Sequence, residues 1–156
     1  MKSYETKFGT LEIEEKDIIL FEFGIPGFEE LKKFYILNLE ETNPILWLVS
    51  LENKDISFPV IPPTGVRIDY SYDISQDIVD YLELKKPEDV FTLSILTIRE
   101  KKENITINLA APILISLVNN KALQYILENI DYNTEHSFND EIKRSASIVS
   151  NEKGGD

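Results

Sequence analysis

The chain has 156 residues, 42% hydrophobic and 28% charged, with no cysteine, a single histidine and a formal net charge of −12. A chain of this length buries roughly 70% of its unfolded surface around one core, and the missing cysteines exclude a disulfide framework, a thiolate nucleophile, an iron–sulfur cluster and a cysteine-based zinc site. The acidic excess repels phosphate backbones, which argues against direct nucleic-acid binding; no apolar run is long enough for a membrane span and Met1-Lys2-Ser3-Tyr4-Glu5 opens no signal peptide, so a cytoplasmic location is expected.

Period-2 alternation of β-branched and aromatic residues predicts strands over 4–14, 17–23, 34–39, 45–51, 56–61 and 66–72. Between the second and third lies Phe23-Gly24-Ile25-Pro26-Gly27-Phe28. There Pro26 presets φ at the second turn position and Gly27 supplies a positive φ at the third, so Gly24, Pro26 and Gly27 are read as a structural turn. A short turn over 28–32 follows. Residues 75–84 predict the one good helix: Ser75 can cap it, Asp77 suits the first turn, and Ile78, Tyr81 and Leu82 share a face.

Two near-continuous apolar runs, 90–100 and 104–118, predict a hairpin of central strands joined by Glu100-Lys101-Lys102-Glu103. Pro112 cannot donate to a ladder, so the second strand should bulge or switch partners there. The stretch 121–130 fits both a helix and a strand; a strand is preferred because it would complete the sheet. From 139 onward apolar density falls. The fold class is therefore mostly β: a single barrel-like domain over 1–138, of about ten strands in an antiparallel or mixed sheet with one short capping helix, followed by a polar, flexible tail over 139–156.

Catalytic chemistry finds little support. His136 alone cannot make a zinc site, no Gly-x-Ser-x-Gly elbow accompanies it, and the six glycines form no phosphate-cradling loop. Carboxylates cluster at Glu12, Glu14, Glu15 and Asp17 and again at Asp69, Asp73, Asp77 and Asp80. The second group leaves open a carboxylate-based hydrolase or a calcium- or sugar-binding barrel using Asp69, Asp73 and Asp77. Helix capping and solvation explain the same residues, and no cofactor is implied.

Four segments, in order, resemble the FliW family of flagellar assembly factors. They are Phe23-Gly24-Ile25-Pro26-Gly27-Phe28-Glu29; Ile45–Leu51 followed by Ile56-Ser57-Phe58-Pro59-Val60 and Pro62-Pro63; Thr106-Ile107-Asn108-Leu109-Ala110-Ala111-Pro112-Ile113; and Ala122-Leu123-Gln124-Tyr125-Ile126-Leu127 with Tyr132 and His136. The likeness spans roughly 4–138 and departs from the family pattern at Val49 and Glu135. It implies a non-enzymatic, barrel-like protein, expected to be a monomer, that switches partners. Such proteins bind the translational repressor CsrA, relieve its silencing of the flagellin message, and also bind newly made flagellin. The candidate partner-binding residues are Asn108, Leu109 and Pro112, where a broken strand would offer backbone groups to a partner's strand. Tyr70 and Tyr72, read as exposed tyrosines flanked by acids, and Gln124 of the last segment complete the set.

Overall fold

A computed structural model of the chain describes residues 1–99, 104–128 and 131–154. Among the described residues are eleven strands: β1 (Lys2–Thr6), β2 (Gly9–Ile13), β3 (Ile19–Leu20), β4 (Lys33–Leu37), β5 (Leu46–Ser50), β6 (Ser57–Ile61), β7 (Val90–Thr97), β8 (Thr106–Ile107), β9 (Ile113–Ser116), β10 (Ala122–Gln124) and β11 (His136–Ser137). Helix α1 (Gln76–Leu82) lies between β6 and β7, and α2 (Phe138–Gly154) follows β11. β1 and β2 form a separate hairpin; the other nine strands make one sheet along β10–β9–β7–β6–β5–β4–β3, with β8 against β7 and β11 against β8. All of these ladders are antiparallel. The ends of the sheet meet at one parallel bridge, Leu20 with Lys121. The mostly β, barrel-like class is thus found, although the sheet touches itself at its ends without closing into a continuous ladder.

Both faces of the central strands are covered, which accounts for their unbroken apolar composition. Ile113 and Ile115 of β9 join Phe21, Phe34, Leu48, Val60 and Leu93 in the main core, while Leu114, on the opposite face, packs with Leu123 and with Leu82 of α1. All four residues of β9 are buried. Each such Leu or Ile contributes about 1.5–3 kcal/mol. The Ser116 hydroxyl donates to the Leu82 carbonyl at 2.6 Å, satisfying a carbonyl at the buried end of α1. A third cluster, of Ile61, Val66, Tyr70, Leu96, Ile107 and Leu109, fills the far end of the sheet.

The interruption expected at Pro112 is present. β7 pairs with β8 through Leu96 and Thr97 and with β9 through Val90–Leu93, and residues 108–112 between β8 and β9 lie outside the strands. The hairpin turn over 100–103 and residues 129 and 130 fall outside the described residues.

Elsewhere the elements differ from expectation. The predicted strand 4–14 is a hairpin turning at Lys7 and Phe8, with Thr6 paired to Gly9. Strand 17–23 shrinks to the two residues of β3, preceded by a 3-10 turn at Glu15–Asp17. No strand forms over 66–72: a 3-10 turn at Pro63–Gly65 precedes it, and Val66 and Tyr70 are buried while Ile68 is 45% exposed, a spacing of four where a strand requires two. The helix is one turn shorter than predicted. Ser75 takes the extended cap conformation, but its hydroxyl makes no capping bond. One helix was expected and two are seen, since the polar tail after 138 forms α2.

Candidate functional site

The candidate residues converge where 108–112 meets the loop 66–75, the strand extension 124–128 and α2. Asn108 keeps the ladder by donating its N–H to the Ile95 carbonyl at 2.9 Å, and its side-chain oxygen accepts the N–H groups of Ala110 and Ala111 at 3.1 and 3.0 Å. This is the local loop such a side chain favours. The carbonyl of Leu109 accepts the Tyr70 hydroxyl at 2.8 Å, and that of Ala111 accepts the Gln124 amide at 3.1 Å. Ala110 and Pro112 accept the N–H groups of Leu127 and Tyr125, both at 2.8 Å. The backbone that the break was expected to offer to a partner is therefore consumed inside the fold, as burial demands; Leu109 and Pro112 are themselves buried.

Of the two tyrosines, Tyr70 is enclosed, whereas Tyr72 stays partly open and lines a groove. Tyr70 is 7% exposed, its ring 4.7 Å from that of Tyr132 and 5.7 Å from that of Tyr72, and burial together with those two neighbours holds its phenol far above the usual range. Tyr72 is half-buried and its hydroxyl is bonded to that of Thr92. Burial raises its phenol too, partly offset by that bond. Asn108, Leu109, Pro112, Tyr70 and Gln124 are brought together, but as a structural knot.

The Gly24–Gly27 turn is built as its composition implies. Gly24 and Gly27 have φ of +69° and +89°, Phe28 N–H returns to the Ile25 carbonyl at 2.6 Å, and Gly27 N–H donates to the Glu29 carboxylate at 2.9 Å. The N–H groups of Gly27 and of Glu29 itself lower the Glu29 carboxyl below its usual range. A Cβ on Gly24 would lie 2.4 Å from the Glu29 Cα.

A polar clasp that the sequence did not reveal holds α2. Arg144 binds Asp69 through both nitrogens, at 2.7 and 2.6 Å, and draws its carboxyl down to about 2. Ser145 donates to the Val66 carbonyl at 2.7 Å and accepts the Ile68 N–H at 3.0 Å. Deeper in, Glu141 lies 3.1 Å from His136 Nδ1 and 3.4 Å from Arg67 Nη1, and Arg67 stacks 4.9 Å over the Tyr132 ring. His136 Nε2 accepts the Asn133 N–H at 2.9 Å, which leaves the ring proton on Nδ1 for Glu141. Asp69 is thereby committed to arginine, Asp73 and Asp77 are exposed, and among the described residues no three His, Cys, Asp or Glu side chains gather as a metal site. Nothing brings the three aspartates of the hydrolase or calcium reading to one place.

What remains open is a groove of about 690 Å³ between residues 71–75 and 125–128. Tyr125 also lines a smaller pocket of about 290 Å³, with Phe23, Pro26, Ile78 and Gln124. Phe23 is 65% exposed. Among the described residues no helix is long and apolar enough to cross a membrane.

Comparison with known proteins supplies the context. A family model described as FliW protein matches residues 2–138. The chain is 44% identical over 153 residues to the flagellar assembly factor FliW of Pseudothermotoga lettingae, covering 97% of each chain, and 42% identical over 147 residues to that of Thermotoga maritima, covering 94% of this chain and 99% of the relative. A crystal structure of the flagellar assembly factor FliW superposes with a TM-score of 0.83 at 36% identity, over 88% of this chain and 96% of that one. The motifs of the turn, the broken strand and the closing segment are thus set in the matching fold, and the chain belongs to the FliW family of flagellar assembly factors.

Proposed function

We propose that this chain is a partner-switching regulator of flagellar assembly: it binds CsrA and relieves repression of the flagellin message, and it binds flagellin, which competes for it. It acts as a cytoplasmic monomer by occupancy, and catalyses no reaction. Membership of the FliW family over residues 2–138 is the observation that carries this reading. The net charge of −12 supports it, because an RNA-binding repressor presents a basic surface and a docked acidic protein repels incoming phosphates. The test is calorimetric titration with the cognate CsrA-type repressor and with flagellin. Both should bind, flagellin should displace the repressor, and added salt should weaken the repressor complex; failure to bind either protein removes the reading.

A further inference from the structure

The strand edge sought at the proline break lies one strand away. Beyond Gln124 the chain stays extended, with the N–H groups of Tyr125 and Leu127 donated inward to Pro112 and Ala110. Strand alternation turns the N–H and C=O of Ile126 to the opposite side, where they have no hydrogen-bond partner among the described residues; its side chain is 70% exposed. Across the groove, Ser71 and Ser75 spend their N–H groups on the hydroxyls of Tyr132 and Tyr125. The intervening N–H groups of Tyr72, Asp73 and Ile74 meet no partner among the described residues. Two stretches of unused main chain thus flank a trough of about 690 Å³. Its walls carry Tyr72, Ile74 and Ile126 as apolar surface and Asp73 and Glu128 as charges, with no lysine, arginine or histidine among the lining residues.

We propose that this groove takes an extended, cationic segment of a protein partner as an added strand on the outer edge of residues 124–128. An unpaired edge is the template for strand addition, and about five residues of added strand span roughly 17 Å along it. The occupant's chemistry follows from the walls: an apolar or aromatic side chain opposite Ile126, as cross-strand pairing favours, flanked by lysine or arginine reaching Asp73 and Glu128. An acidic strand would be repelled. The docking segment being part of a protein partner rests on the function proposed above.

The test uses the whole chain and a capped nonapeptide of alternating lysine and valine, beside a glutamate–valine analogue and a version N-methylated on alternate amides. Affinity is measured by calorimetry and amide shifts by NMR. The lysine peptide should bind and shift the Ile126 and Glu128 amides, the other two should not, and I126P should weaken binding at least tenfold, because it deletes an N–H that makes no internal bond. D73K/E128K, at two exposed positions, should weaken it similarly and serves if I126P fails to fold. Lysine-peptide binding unaltered by N-methylation, or by D73K/E128K, overturns the proposal, as does absence of binding. The two readings fail separately. A wild-type protein that takes the peptide but neither CsrA nor flagellin upholds the groove and removes the function; one that binds those proteins equally well as wild type and as D73K/E128K overturns the groove and keeps the function.

Discussion

Replacing Gly24 with alanine separates two costs that glycine ordinarily hides together. At φ +69° an alanine sits in the left-handed region, at about 1 kcal/mol. The new Cβ would also lie 2.4, 2.6 and 2.8 Å from the Cα, O and C of Glu29. Those are backbone atoms, so no side-chain rotation relieves the collision and the turn itself must shift, at about 2–3 kcal/mol. Gly27, with φ +89° and nothing within 4 Å of its Cβ position, carries only the conformational part. G24A should therefore lose about 3–4 kcal/mol and G27A about 1. For a domain of this size that corresponds to a fall in Tm of about 6–16 °C against about 2–4 °C. Differential scanning calorimetry of the two variants beside the parent is the assay. If G24A melts within about 2 °C of G27A, the close approach of Gly24 to Glu29 is not the constraint described.

Two further outcomes are expected. D69N removes the carboxylate that Arg144 holds; the folded pKa of about 2 lies below the ordinary 3.8, so the clasp's contribution is complete above about pH 4 and disappears as the pH falls through 2. Because Asp69 is half exposed, that contribution is at most about 1 kcal/mol, and urea midpoints of D69N and parent should converge between pH 4 and 2; a gap independent of pH refutes it. Y70F leaves the Leu109 carbonyl without its donor in a buried setting, which should cost about 1–3 kcal/mol in denaturant midpoint with an unchanged m-value; an unaltered midpoint would mean the bond contributes nothing.

Where one force decides the local structure, the residues declare it. In β1 and β2 every second residue is more buried than its neighbours, and 113–115 does not alternate because two cores sandwich it. Pro112 marks its break and Pro26-Gly27 its turn through backbone restrictions that act over three or four residues. Residues 66–72 misled because Val66, Ile68, Tyr70 and Tyr72 mimic period two, although only contacts with Leu109 and Tyr132 decide that Ile68 points away. α2 was illegible for a related reason. It is held chiefly through Arg144, Ser145 and Glu141, whose partners Asp69, Val66 and Arg67 lie more than seventy residues earlier, and ion pairs at that separation leave no periodic trace. The internal partners of the candidate binding residues left no trace either: Asn108 and Tyr70 carry polar groups suited to recognition, and the fold uses those groups on its own carbonyls and amides.

The Arg144–Asp69 tie joins positions 75 residues apart in the chain. On the ribosome, at about 5–20 residues per second, Asp69 therefore waits roughly 4–15 s before its arginine has been made. Throughout that interval the emerging sheet carries a bare patch at Val66–Asp69. The latch closes only once Arg144 has been made, and a message cut shortly before codon 144 would yield a molecule with β1–β11 in place and α2 unfastened.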